Sequence, residues 1–162
     1  MNYNLKEYRF SSSDGKNTIY SEIYSPKNVR PRAIVQLAHG MIDYTGRYTA
    51  LADFLTGHGF ILAGNHHLGH GKSAASSEDF GYFADKDGYK YVIEDVHAMN
   101  TYLHKTYPDL PVIYAGGVMS NKAIRSYLTN RFGGFFAEPC YSCDNAAGIA
   151  YLTALKGASS NE

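Results

Sequence analysis

The sequence predicts an α/β fold: a mostly parallel sheet with helices on both faces, built as a single domain over 1–162. Three observations predict it. Short apolar runs at 33–38 (AIVQLA), 60–64 (FILAG) and 112–115 (VIYA) have no polar face, the pattern of strands covered by helices on both sides. These runs alternate with segments of helical period, and alternation after an initial hairpin favours parallel pairing. The stretch 111–128, PVIYAGGVMSNKAIRSYL, joins a strand to an amphipathic helix through Gly116-Gly117, the kind of turn on which α/β proteins mount a functional group.

The elements follow in chain order. Residues 5–11 and 18–25 alternate apolar and polar side chains around Ser13-Asp14-Gly15-Lys16, an antiparallel opening hairpin. A proline-flanked loop at 26–31 leads into the strand 33–38, which ends on His39-Gly40-Met41. Residues 48–58 place Leu51, Ala52, Phe54 and Leu55 on one side of a helix stopped by Gly57 and Gly59. After the strand 60–64, the stretch NHHLGHGKSAASSEDFGYF is too irregular for either period and reads as a long loop. Residues 87–107 form a long helix with a stripe of Tyr91, Val92, Asp95, Val96, Met99, Tyr102 and Leu103, terminated by Pro108. In the helix after the glycine turn, Ala123, Ile124, Tyr127 and Leu128 recur at helical spacing, with Lys122, Arg125 and Asn130 left for solvent. A further strand at 132–137 and a short helix at 146–155 complete the reading.

Composition narrows the function classes. The chain is 44% hydrophobic and 19% charged, as in a globular domain. Fifteen basic and fifteen acidic residues cancel, so no long-range field draws nucleic acid or an anionic membrane surface. The N-terminal stretch has no signal-peptide core, and no run approaches the ~18 apolar residues of a membrane span. With only Cys140 and Cys143, a disulfide framework is not expected, and the expected compartment is the cytoplasm.

Two clusters invite chemistry. His66, His67 and His70 could hold zinc if their geometry converged, but their glycine-rich setting favours loop histidines held by backbone hydrogen bonds, and no metal or cofactor is expected. Cys140-Tyr141-Ser142-Cys143 is a lone C-x-x-C and reads as two free or buried thiols. Glu94 and Asp95 read as ordinary charges of the long helix, and His97 and His104 as surface residues.

In order, the segments resemble the α/β-hydrolase superfamily, in particular its monoacylglycerol lipase and lysophospholipase-like branch. The residues that carry the resemblance are His39-Gly40-Met41 with Asp43 and Arg47-Tyr48, then His67-Leu68-Gly69-His70-Gly71-Lys72-Ser73 against that branch's D-H-x-G-H-G-x-S, then Gly81-Tyr82-Phe83, Asp87-Gly88 and the Leu110-Pro111 pair before the nucleophile strand. It runs from about residue 8 to 128 and more weakly to 155.

The resemblance implies a carboxylic ester hydrolase by descent, acting on a glycerol ester or lysophospholipid. It places the oxyanion loop at His39 and Gly40 and the oxyanion-hole amides at Met41 and Met119. It also shows four departures. The elbow that should read G-x-S-x-G is Gly116-Gly117-Val118-Met119-Ser120, so the nucleophile position holds Val118, whose isopropyl group cannot attack a carbonyl. An elbow centred instead on Ser120 would place Val118 and Lys122 where small residues are needed, so Ser120 reads as a helix cap or a small turn residue. No Asp and His pair follows to complete a triad, and the chain stops where the family's lid and C-terminal strands would begin. His66 stands in place of the motif's aspartate, and Gly117 in place of the histidine that usually precedes the serine. The expectation is therefore a scaffold inactive by the serine mechanism, with a lipid or acyl-ester ligand as possible partner. The alternative is a non-catalytic assembly module that self-associates or pairs with a complementary C-terminal segment.

Overall fold

A computed structural model describes residues 1, 3–116, 121–133 and 135–136. Among them are β1 (Tyr3–Ser11), β2 (Thr18–Pro26), β3 (Ala33–Leu37), α1 (Thr49–Gly57), β4 (Phe60–Asn65), α2 (Gly88–Thr106), β5 (Val112–Ala115), α3 (Lys122–Phe132) and β6 (Phe135–Phe136). The strands form one sheet in the order β1-β2-β4-β3-β5-β6. β1 and β2 form the expected antiparallel hairpin, in register from Tyr3 opposite Pro26 to Ser11 opposite Thr18. β3 pairs in parallel with both β4 and β5, and β5 in parallel with β6. β2 meets β4 antiparallel, which joins the hairpin to the parallel half.

Strand alternation divides the core between two faces. Ile23, Ile34, Ile61, Val112 and Tyr114 point to the side covered by Val96, Met99 and Leu103 of α2 and by Leu128 of α3. Tyr24 and Leu62, next to Ile23 and Ile61 in sequence, and Leu37 point to the other side, where Ala52 of α1 closes over them. Helices therefore cover both faces, which is why β3 and β4 needed no polar face. None of the described helices is long and apolar enough to cross a membrane.

Four details depart from the sequence reading. β2 is buried almost throughout, including Ser21 and Glu22, because it lies between two strands with both its faces covered. In α1 the seated residues are Ala52 and Thr56, and Phe54 is 61% exposed, its ring lying 4.3 Å from that of His58. Asp95 is buried rather than solvated. Its Oδ2 accepts from the Ser12 hydroxyl at 2.7 Å and its Oδ1 from the Ser13 N–H at 2.7 Å, which ties the hairpin turn to α2. Burial raises its pKa, and the two serine donors oppose that rise without cancelling it. His97 is also less exposed than expected, its ring packing edge-on to Tyr127.

A buried polar seam fixes α2 to the central strands. Gln36 of β3 donates to the carbonyl of Val96 at 3.0 Å, and Asn100 donates to Gln36 Oε1 at 2.7 Å and to the Tyr114 hydroxyl at 2.9 Å. Each removed partner would leave a buried group unpaired, at a cost of about 1–3 kcal/mol. Of the strand expected at 132–137, Phe135–Phe136 form β6, while Phe132 belongs to α3. The helix expected at 146–155 and the pair Cys140 and Cys143 lie outside the described residues.

Candidate functional site

The carboxyl ends of β3, β4 and β5 converge at one edge of the sheet, and the segments leaving them build the site. Ala38 continues the β3–β5 ladder, its N–H donating to the Ala115 carbonyl at 3.0 Å. The next residues are His39 on one side and Gly116 on the other, so the expected oxyanion loop and the start of the elbow are neighbours. Gly116 has φ +106, and a Cβ there would lie 2.0 Å from the Ala38 carbonyl oxygen. Only glycine lets the two strand ends approach this closely. Gly117, Val118, Met119 and Ser120 lie outside the described residues.

His39 is buried and fully used. Its Nδ1 donates to the Gly40 carbonyl at 2.8 Å, and its Nε2 accepts the His67 N–H at 3.0 Å. His67 answers by donating from its own Nε2 to the His39 carbonyl at 3.0 Å. Burial lowers the His39 pKa to about 4. Burial likewise drives His67 well below the ordinary imidazole value. Both rings are neutral tautomers locked by backbone partners, and together they pin the β3 end to the β4 end.

The long loop after β4 is irregular, as its sequence implied, yet closely held. The His70 N–H donates to His67, the Ser73 N–H to His70, and the Gly81 N–H to Gly69 at 2.8 Å. The Ser73 hydroxyl donates to the His66 carbonyl at 2.8 Å while accepting the Tyr20 N–H at 2.9 Å, fastening the loop to β2. The Asp79 carboxylate accepts both the N–H and the hydroxyl of Ser76, closing the turn before Phe80.

His66, which departs from the family motif, is 1% exposed. Its Nδ1 accepts the Lys72 N–H at 2.9 Å, and its Nε2 faces Glu22 Oε2 at 3.8 Å. Gly71 at φ +49 lies against this ring, where a Cβ would come within 2.2 Å of Nδ1. Burial of Glu22 works against its charge, but His66, the Tyr24 hydroxyl and Lys72 outweigh it and lower its pKa. The three histidines of the cluster thus turn ring nitrogens to backbone groups, the arrangement that glycine-rich loops favour over converging ligands. Among the described residues no group of His, Cys, Asp or Glu is disposed to hold a metal.

Above these histidines opens a cleft of about 390 Å³, lined by Met41, Ile42, Asp43 and Tyr44 on one side and by Gly69, His70, Gly71, Phe80 and Gly81 on the other. Met41 and Phe80 present exposed apolar side chains there. Ile42 is 94% exposed and adopts φ +46, a strained backbone for a β-branched residue. Asp43 organises the turn below. It accepts the Tyr44 N–H at 2.8 Å and the Tyr48 hydroxyl at 2.6 Å, and pairs with Arg47 at 3.6 Å. Of the sequence-predicted residues, the structure brings His39, Gly40, Met41 and Gly116 to this one edge. Phe80, in a stretch whose Tyr and Phe content reads from sequence as core and loop packing, is instead exposed on the cleft, while Ile42 and Tyr44 carry no sequence signal; only the positive φ of Ile42 marks it, a backbone property without a signature in residue type.

A hairpin leading into a parallel sheet, helices on both faces, and a glycine at the end of β5 packed against the end of β3 define the α/β-hydrolase class. The chain belongs to the hydrolase family described as serine aminopeptidase, S33, whose sequence model matches residues 29–134. It is 33% identical to a monkeypox virus monoglyceride lipase homolog over 62% of this chain and 34% of the viral protein. It is 26% identical to the monoacylglycerol lipase of Mycolicibacterium smegmatis over 75% of this chain and 40% of that enzyme. A thermostable carboxyl esterase from Bacillus coagulans, solved in complex with glycerol, superposes with a TM-score of 0.69 at 34% identity, over 81% of this chain and 42% of the esterase. The chain therefore spans well under half the length of these relatives.

Proposed function

We propose that this chain is a monoacylglycerol lipase-like or lysophospholipase-like scaffold of the cytoplasm that binds an acyl glycerol ester without hydrolysing it by the serine mechanism. The observation that carries this reading is the cleft of Met41, Ile42, Tyr44 and Phe80, which lies over a preserved loop at His39 and Gly40 while the elbow position holds Val118. An apolar cleft suits an acyl chain. Amides of Met41 and Met119 at an oxyanion hole stabilise a charge only when a nucleophile has created one. Valine creates none, and an elbow centred on Ser120 would put Val118 and Lys122 where small residues are needed. The monoglyceride lipase names among the relatives and the glycerol-bound esterase support the ligand class. Turnover of a short-chain nitrophenyl ester and labelling by a fluorophosphonate test the reading: both should be absent.

A second reading is favoured by Phe135, which is 66% exposed on β6 at the sheet's edge. On this reading the chain is an assembly module that binds a second copy of itself or a complementary C-terminal segment through that edge. Light scattering coupled to size exclusion tests the first case. A mass of two chains supports it, and a monomer at high concentration removes it.

A further inference from the structure

Resting on the acyl-ester reading of the cleft, we propose that His70 is its selectivity residue, accepting through Nε2 a hydrogen bond from a free hydroxyl of a glycerol ester. His70 is 5% exposed, yet it lines the cleft. Its orientation is fixed from several sides. The ring lies 5.4 Å from Phe83 at an interplanar angle of 30°, with His39 at 5.5 Å. Nδ1 stands 2.9 Å from the Leu68 carbonyl, which can only accept, so Nδ1 carries the proton. In the neutral ring Nε2 is then an acceptor, and it has no hydrogen-bond partner among the described residues.

His39 and His67 commit their ring nitrogens to each other's backbone or to Gly40, and His66 commits Nδ1 to Lys72. The Asp43 carboxylate in the same cleft is already engaged by Tyr44, Tyr48 and Arg47. An acceptor left without a protein donor is open to a ligand that brings an O–H, which adds about one net hydrogen bond. A lone pair also discriminates by charge: it attracts a neutral hydroxyl and repels a carboxylate. An ester with free hydroxyls is therefore favoured over both a simple alkyl ester and a fatty acid.

The test compares 1-octanoylglycerol, methyl octanoate and octanoate by calorimetric titration into the full 162-residue chain. The wild type should prefer 1-octanoylglycerol over methyl octanoate by about tenfold, the worth of one net hydrogen bond. In His70→Phe that preference should fall to about twofold or less while methyl octanoate binding is retained. Nitrogen NMR of the histidine-labelled wild type provides a readout independent of the variant's folding, since the His70 Nε2 resonance should move with 1-octanoylglycerol and not with methyl octanoate. A preference that survives in His70→Phe, or an unmoved Nε2 resonance while 1-octanoylglycerol binds, overturns the role of His70 and leaves the acyl-ester reading intact. If neither ester binds, the acyl-ester reading itself falls, and this inference with it.

Discussion

His39 and His67 hold each other through two reciprocal hydrogen bonds, each 3.0 Å long, in which each ring engages the other's backbone. The pair bridges the loops that leave β3 and β4, so the position of the loop at His39 and Gly40 depends on two rings that must stay neutral.

That dependence makes stability fall with acid. In the folded chain burial lowers the His39 pKa to about 4 from an ordinary value of 6.5. The unfolded chain therefore binds more protons than the folded one between those values, and stability rises with pH across that window. The contribution is fully present above pH 6.5, is lost as pH falls toward 4, and changes no further below it; a shift of this size corresponds to about 3 kcal/mol. Urea unfolding at a series of pH values should show this slope, and His39→Gln should flatten it.

Gly116→Ala should cost more than about 3 kcal/mol, combining a left-handed backbone with overlap against a carbonyl that cannot move without breaking the β3–β5 ladder. A melting temperature lowered by roughly 10 °C is the expected scale for a chain of this size. Gly40→Ala is the control. Nothing lies within 4 Å of a Cβ built there, so its melting temperature should stay close to wild type.

Asp95→Ala should destabilise by about 1–3 kcal/mol, because the buried Ser12 hydroxyl and the Ser13 N–H lose their acceptor together. Hydrogen exchange should show the amide of Ser13 opening faster than those at the centre of α2. Equal protection of Ser13 in both proteins would contradict the anchoring role.

The parallel strands were legible because a strand with two covered faces must be apolar throughout, and Gly116 because two strand ends that approach this closely need glycine. The role of Asp95 was not legible, since its partners lie 83 and 82 residues away and nothing local marks it as an anchor. Phe54 shows another limit: helical period gives the apolar stripe, but the small Ala52 and Thr56 are what seat α1 against the sheet. The loop after β4 has no period because His66, His67 and Ser73 supply contacts that a regular backbone would otherwise make. The cleft was missed for a related reason. It is assembled from two loops, residues 41–44 and 69–81, whose meeting depends on hydrogen bonds such as Gly81 to Gly69 rather than on any residue pattern.

The central claim is a site that keeps its scaffold and lacks its nucleophile, and fluorophosphonate labelling read by peptide mass spectrometry tests it most directly. The account predicts an unmodified chain, with no serine labelled and no nitrophenyl ester turned over. A fluorophosphonate adduct on Ser120, with turnover lost in Ser120→Ala, would contradict it.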